Sequence, residues 1–223
     1  MPSENTEAES GAQGSIPHGG ELLDFVKEYQ QLMFLYESAI KQITTKFEIL
    51  NQEYKMRGDR NPIETIKSRV KTPQSIAGKL KRQGFELSIK SIADNLNDVA
   101  GVRVICSYIS DIYLVRDMLV AQSDVRLISE KDYIKNPKPN GYRSLHLVIE
   151  IPVYLTQTVY KVKAEIQIRT IAMDFWASLE HNIRYKASDA IPEGVVKELY
   201  DCAELIAKTD RRMEEIASKL QQL

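Results

Sequence analysis

The sequence contains only two cysteines and three histidines among its 223 residues. Cys106 and Cys202 are far apart in the chain, and neither has a Cys or His neighbour at the spacing of a metal-ligand pair. A structural zinc site is therefore not expected. Both cysteines lie in apolar patterns, so we expect two buried, reduced thiols, as is typical of a cytosolic protein.

Long apolar runs are also absent. No stretch reaches the ~18 apolar residues of a membrane-spanning helix, and the N-terminal residues lack the basic and apolar regions of a secretory signal. We therefore expect a cytoplasmic protein with no membrane partner. Residues 1–20 contain four glycines and few aliphatic side chains. This composition predicts a disordered tail ahead of a single domain over residues 21–223.

The chain has almost no net charge, because 30 Lys and Arg side chains face 31 Asp and Glu, for a formal charge of −1. This balance argues against a surface adapted as a whole to nucleic acid. The charge is uneven, however: residues 55–103 hold eleven basic and five acidic side chains. Such a basic segment suits a polyphosphate ligand, although a solvated helix face accounts for the charge equally well.

Apolar periodicity predicts an α/β (α+β) fold, with helices on a mixed sheet. A long amphipathic helix is expected from Glu21 to about Gly58. A second helical region is expected from Asn61, interrupted by Pro73 and ended by Gly84. The expected strands cover residues 99–108, 125–129, 144–153 and 159–169, the last two as an antiparallel pair. The later helices are expected over residues 111–121, 170–186 and 195–220.

The last expected strand alternates polar and apolar residues. Period two places its polar side chains on one face, namely Lys161, Lys163, Glu165, Gln167 and Arg169. A sheet with one solvated face accounts for such a row. The row nevertheless mixes both charges with an amide, which suits a site that holds phosphates, a metal ion and a hydroxyl group together.

Asp98 directly precedes an apolar strand that contains Arg103. An arginine is costly to bury unpaired, so Arg103 indicates an open face or contact with an anion or a π system. If Asp98 and Glu165 lie on one face of the sheet, their carboxylates could hold one Mg²⁺. The alternative stays open that Asp98 caps a turn and Glu165 pairs with a lysine.

The segment Gly141-Tyr142-Arg143-Ser144-Leu145-His146 follows Lys138. An aromatic residue at a strand entrance can stack on a base while nearby cations contact phosphates. Cover for the sheet edge is an equally good interpretation. The chain has no P-loop and no Gly-x-Gly-x-x-Gly turn, so side chains would have to hold any nucleotide.

Taken in order, these motifs resemble the synthetase domain of the RelA/SpoT family, and specifically its small single-domain alarmone synthetases of the RelQ/RelP type. The resemblance covers about residues 25–220. Its motifs are Arg69-Val70-Lys71, Asp98 to Arg103, Gly141 to His146, Glu165 to Thr170 and Phe175 to His181. It implies a nucleotidyltransferase-like sheet of about five strands. The implied activity is that of a GTP diphosphokinase, which transfers the β,γ-pyrophosphate of ATP to the 3′-hydroxyl of GDP or GTP. The products would be AMP and the stringent-response alarmone (p)ppGpp.

The resemblance also implies residue roles. Asp98 and Glu165 would hold Mg²⁺, and Glu165 would accept the proton of the 3′-hydroxyl. Gln167 would support the metal carboxylate. The implied contacts to ATP are Arg69 and Arg103, stacked on adenine, with Lys71, Lys79 and Arg82 on the phosphates. The implied contacts to GDP or GTP are Tyr142, stacked on guanine, with Lys131, Lys138, Arg143, His146 and Arg169.

A homotetramer is implied as well, with RNA as a candidate regulator. Thr65 and Lys67 replace a Phe-x-Thr pair of the RelQ type, and Asp174 replaces an Asn. Regulation by pppGpp therefore stays open, as does the preference between GDP and GTP. The chain lacks the His-Asp motif of the family's hydrolase domain, which predicts synthesis of alarmone without degradation.

Two other functions stay open at this stage. One is a toxin-like relative that pyrophosphorylates a tRNA 3′ end or an adenosine nucleotide. The other is a catalytically silent module that binds nucleotide or RNA. The presence of Asp98, Tyr142 and Glu165 disfavours the silent module, and the near-neutral charge disfavours tRNA as a substrate.

Overall fold

The computed structural model describes residues 19–186 and 192–220. Residues 1–18 of the expected tail lie outside this part of the chain. The helices are α1 (Gly19–Met56), α2 (Pro73–Gln83), α3 (Ile89–Asn95), α4 (Ile109–Val120), α5 (Ile171–Lys186) and α6 (Glu193–Leu220). The strands are β1 (Ile63–Val70), β2 (Ala100–Cys106), β3 (Arg126–Asp132), β4 (Leu145–Tyr154) and β5 (Val159–Thr170).

The strands form one mixed sheet in the order β1-β2-β5-β4-β3. β2 runs parallel to β5, and the other neighbours are antiparallel. This confirms the predicted α+β class, the five-stranded mixed sheet and the antiparallel pairing of β4 with β5. The parallel pair joins Gly101 of β2 to Glu165 of β5, which places two of the sequence motifs side by side.

The prediction of a helix from Asn61 is wrong, because residues 63–70 form the edge strand β1. This strand pairs with β2 from Ile63↔Cys106 to Val70↔Ala100. Its first residue is held by α1, since the Asn51 amide both donates to the Ile63 carbonyl and accepts from the Ile63 N–H, each at 3.3 Å. Long-range backbone pairing here outweighs the local Asn-Pro signal.

The helix-end signals further along are confirmed. Pro73 is the first residue of α2, and the preceding Thr72 caps it by accepting a hydrogen bond from the Ser75 N–H. Gly84 ends α2 with a φ of +73°, a conformation that favours glycine. The short helix α3, which Ser88 caps, was not predicted.

The core lies between the sheet and two helices, α1 and α4, that pack on its apolar face. Fully buried side chains come from both layers, among them Phe47 of α1 and Ile166 of β5. Cys106 is buried, as expected. The same expectation for Cys202 is wrong, because that residue is exposed on α6. Within the described ranges, no helix is long and apolar enough to cross a membrane.

Candidate active site

The polar face of the sheet carries a row of side chains that crosses all five strands. Directly paired residues project to the same face of a sheet. The registers pair Lys67 with Arg103, Arg103 with Gln167, Gln167 with His146 and His146 with Lys131. Each strand therefore contributes one polar residue to a single line, which runs from Lys67 to Lys131.

Asp98 and Glu165 line the same cleft at one end of this face. The cleft has about 570 Å³ of empty volume, and its other lining residues are Lys67, Ser68, Arg69, Gly101, Val102, Arg103 and Gln167. Gly101 pairs with Arg69 on one side and Glu165 on the other. Because Gly101 has no side chain, the space between the Arg69 and Glu165 side chains stays open.

Two lysines surround the Asp98 carboxylate. Lys71 Nζ lies 2.9 Å from Oδ2, and Lys79 Nζ lies 2.8 Å from Oδ1. Burial by itself would raise the pKa of Asp98, but the hydrogen bonds and charges of Lys79 and Lys71 outweigh it and lower the pKa. Asp98 is therefore an ionised carboxylate at neutral pH. It is bound by Lys71, which precedes α2, and by Lys79 of α2.

Glu165 also has both carboxylate oxygens in contact with polar groups. His146 Nδ1 lies 3.2 Å from Oε1, and Gln167 Nε2 donates to Oε2 at 2.9 Å. Burial acts to raise the pKa of Glu165, yet the contacts with His146 and Gln167 prevail and the pKa is lowered. The side chain is thus ionised and oriented, as a general base requires.

These contacts belong to a closed ring of five side chains. His146 Nε2 lies 2.7 Å from the Tyr142 hydroxyl, and Arg169 donates to that same hydroxyl. Arg169 also donates to Gln167 Oε1 at 3.0 Å, and Gln167 in turn contacts Glu165. The ring links the aromatic residue expected to stack on guanine with the expected base.

Asp174 on α5 contacts three cations, although it was not predicted as a site residue. Its Oδ1 lies 3.1 Å from Nη1 of both Arg103 and Arg169, and its Oδ2 lies 3.5 Å from Lys67 Nζ. Asp174 is 9% exposed. Lys67 and Asp174 are two of the departures from the RelQ-type pattern, and here they form an ion pair with each other.

Comparison with known proteins decides the family. The model of the region found in RelA/SpoT proteins matches residues 68–190. The chain belongs to the RelA/SpoT family. GTP pyrophosphokinase YwaC of Bacillus subtilis is 49% identical over 199 residues, which are 89% of this chain and 95% of that protein. GTP pyrophosphokinase YjbM of the same organism is 35% identical over 196 residues, 88% and 92% of the two chains.

Solved structures of small alarmone synthetases share the fold. The crystal structure of small alarmone synthetase 2 from B. subtilis matches with a TM-score of 0.79 and 49% identity, over 86% of this chain and 99% of that one. Small alarmone synthetase 1 from B. subtilis, bound to its product pppGpp, matches with a TM-score of 0.81 and 36% identity, over 87% and 99% of the chains. The predicted resemblance to the RelA/SpoT family is thus confirmed.

Five of the fourteen site residues that the family resemblance implied line the first cleft, namely Arg69, Asp98, Arg103, Glu165 and Gln167. A second, connected cavity of about 890 Å³ runs beneath α5. It shares Arg69, Arg103 and Gln167 with the first cleft, and adds Tyr142 and Arg169. Five residues of α5 also line it and were not predicted as site residues, namely Ala177, Ser178, Glu180, His181 and Asn182. The RelA/SpoT motif that ends at His181 was the signal that could have pointed to them.

Two tyrosine rings, Tyr133 and Tyr142, lie next to the Lys138 ammonium. Lys138 Nζ lies 4.7 Å from the ring centroids of both Tyr133 and Tyr142. Tyr133 also meets His146 edge to face, at 5.2 Å between centroids. Tyr133 was not predicted as a site residue.

Not every predicted site residue lines the cleft that contains Asp98 and Glu165. Arg143 points away from the cleft and forms an ion pair with Glu204 of α6. Arg82 is exposed on α2, and Lys131 is exposed on β3 in register with His146. The roles of Arg82 and Lys131 toward a nucleotide stay predictions.

Proposed function

We propose that this chain is a GTP pyrophosphokinase that makes (p)ppGpp from ATP and GDP or GTP. The observation that carries the proposal is one cleft in which two ionised carboxylates, Asp98 and Glu165, face the cations Arg69 and Arg103. Relatives of similar length carry the name GTP pyrophosphokinase, and solved relatives hold pppGpp or AMPCPP. An oxygen nucleophile and a polyphosphate donor both suit this set of groups.

On the donor side, Arg69 and Arg103 stack on the adenine of ATP. Lys71 and Lys79 bind its phosphates. In the described structure both lysines form ion pairs with the Asp98 carboxylate. The phosphates of bound ATP would replace Asp98 as the partner of these lysines. Because the transferred group is highly charged, neutralisation by these cations supplies much of the catalysis.

On the acceptor side, Tyr142 stacks on guanine and Glu165 receives the proton of the 3′-hydroxyl. The 3′-oxygen then attacks the β-phosphorus of ATP, the bond between the β-phosphorus and its oxygen bridge to the α-phosphate breaks, and AMP leaves. Glu165 is suited to the role of base because it is ionised and both of its oxygens are oriented by neighbours.

The proposal includes Mg²⁺, held by Asp98 and Glu165. Among the described residues, no group of three or more His, Cys, Asp or Glu side chains could hold a metal by itself. Two carboxylates in one cleft nevertheless fit Mg²⁺, which characteristically takes one or two carboxylates together with substrate phosphates and water. When bound, the ion would neutralise charge on the pyrophosphoryl group.

We also place the protein in the cytoplasm, where its nucleotide substrates are found, and assign it a homotetrameric assembly. An apolar stripe on α5 supports the assembly, since Ile171, Phe175, Leu179 and Ile183 recur at every fourth position and are 40–59% exposed. RNA is the further partner that we propose, as a regulator.

One assay tests the proposed function. The protein is incubated with Mg²⁺, labelled ATP and, in turn, GDP, GTP, an adenosine nucleotide or tRNA, and the products are separated. AMP formed one-for-one with a guanosine 3′-pyrophosphate is the expected result. AMP formed only with tRNA or adenosine acceptors would point to the toxin-like activity, and no AMP with any acceptor would overturn both enzymatic functions.

A further inference from the structure

The loop that carries the acceptor residues, Lys138 to Arg143, rests directly on α6. Gly141 has a φ of +84°, in the region that favours glycine, and its backbone is pressed against the helix. A Cβ built on Gly141 would lie 2.6 Å from the Cβ of Ala203, closer than real side chains approach. The Gly141 backbone therefore packs directly on the Ala203 side chain of α6.

The guanidinium of Arg143 links the loop to α6. Arg143 donates to Glu204 Oε1 of α6 at 2.7 Å, and also to the carbonyl oxygen of Gly141 at 3.0 Å. The Arg143 side chain is only 11% exposed, so removing its acidic partner would leave a largely buried charge unpaired. The Arg143–Glu204 pair thus joins the loop to the helix.

The same loop fixes two of the proposed acceptor contacts. The Lys138 N–H donates to the carbonyl of Tyr142 at 3.2 Å, and the Gly141 N–H donates to the carbonyl of Lys138 at 2.8 Å. Because these bonds close a turn, a displacement of Gly141 moves both Lys138 and Tyr142. The position of the turn on α6 therefore sets where the Tyr142 ring and the Lys138 ammonium stand.

α6 is itself anchored to the rest of the fold by further hydrogen bonds that do not involve this loop. The Trp176 indole donates to the Leu199 carbonyl at 2.9 Å, and Thr170 donates to Asp210 at 2.5 Å. Near the end of the helix, Glu214 accepts from the Ser110 N–H at 2.8 Å. These contacts to α4, α5 and the end of β5 make α6 a rigid support.

We infer that α6 positions the acceptor loop, and that Glu204 is the positioning residue that does so through Arg143. The inference rests on the proposed function, which defines the acceptor as GDP or GTP. It reassigns Arg143 from a phosphate contact to a link between the loop and α6. It also adds to the site a helix of which the RelA/SpoT model, matching residues 68–190, covers no part.

The test uses the full chain with Glu204→Gln, which keeps the size of the side chain and removes its charge. The matched control is Glu215→Gln, at an exposed position on α6 whose carboxylate pairs with Arg212. Hydrogen exchange without nucleotide is expected to speed up across residues 138–143 in Glu204→Gln and not in the control. The KM for GDP is expected to rise about tenfold while the KM for ATP stays within about twofold.

A double-mutant cycle decides whether Glu204 acts through Arg143. In an Arg143→Gln background, Glu204→Gln is expected to change the GDP KM by less than about twofold, because the partner is already gone. Three results would overturn the inference: unchanged exchange in residues 138–143, an equal rise of both KM values, or a full Glu204 effect in the Arg143→Gln background.

The inference and the proposed function can fail separately. If the wild-type protein forms no AMP, the proposed function is wrong. Exchange, together with calorimetric titration of GDP, then decides the inference, because neither measurement needs turnover. Weaker GDP binding and faster loop exchange in Glu204→Gln would still support it. GDP binding that is absent from the wild type, or equal in both proteins, would overturn it.

Discussion

Glu165 illustrates how single residues in this site depend on their neighbours. A buried carboxylate alone would have a raised pKa and would be partly neutral. His146 and Gln167 each contact one of its oxygens, and the pKa is lowered instead. The polar alternation of β5 pointed to Glu165, but only the register of β4 against β5 brought His146 to it.

Glu165→Gln tests the base at the residue scale. The amide keeps the shape of the side chain but cannot accept the proton, so AMP formation is expected to fall by about 10²–10⁴-fold. ATP binding, measured by calorimetry without Mg²⁺, should stay within about threefold. Glu130→Gln, on a β3 residue paired with Arg116, serves as control and should keep full activity. An active Glu165→Gln enzyme would refute the assignment of the base.

Tyr142 tests the acceptor side at the same scale. Stacking of a base on an aromatic ring is worth about 1–3 kcal/mol, so Tyr142→Ala is expected to raise the KM for GDP by about 10–100-fold and to leave the KM for ATP nearly unchanged. Tyr142→Phe keeps the ring and removes the hydroxyl that contacts His146 and Arg169. It should recover most of the GDP affinity. A GDP KM that does not move in Tyr142→Ala would rule out stacking.

At the element scale, α6 combines an exposed face with a buried, polar contact to the end of β5. Asp210 is 5% exposed and accepts a hydrogen bond from Thr170, whose oxygen also caps α5 by accepting from the Met173 N–H. Burial, the largest cause, raises the pKa of Asp210. The ionised Asp210 carboxylate therefore lowers the stability of the folded protein at neutral pH, because its charge is buried.

Asp210→Asn tests this cost. A raised pKa in the folded state means that the stability from Asp210 is complete below its unfolded pKa and is lost as pH rises through the folded value. The variant keeps an oxygen for Thr170 and removes the charge. Its Tm relative to wild type should therefore be higher near pH 7 than near pH 4. Asp201→Asn, at an exposed α6 position, should show no such change with pH, and a constant difference for Asp210→Asn would contradict the explanation.

The wrong prediction of a helix where β1 lies also concerns a single element. Asn61-Pro62 matches the start of a helix by local rules, and residues 63–70 show no clear strand alternation, because this is an edge strand with mostly exposed side chains. Its conformation comes from pairing with β2 and from the Asn51 amide of α1. No periodicity within the segment could reveal those partners.

At the scale of the whole molecule, the apolar stripe on α5 predicts assembly. Phe175 is 59% exposed at the middle of this stripe. Phe175→Glu would place a charge in a buried apolar contact between subunits, so the mass in solution is expected to fall from a tetramer to smaller species by light scattering. Tyr154→Glu, at a 68% exposed site at the end of β4, is the control. A wild-type monomer, or an unchanged Phe175→Glu oligomer, would contradict the prediction.

The complete fold also shows which features could be predicted from the sequence and which could not. By itself the sequence determined the polar face of β5, the glycine that ends α2, the antiparallel β4–β5 pair and the family motifs, because these are local or periodic signals. Only the tertiary structure decided that residues 63–70 are a strand, that Asp174 contacts Lys67, Arg103 and Arg169, and that Arg143 pairs with Glu204. Those outcomes depend on partners distant in the chain, whose approach is set by strand order and helix packing.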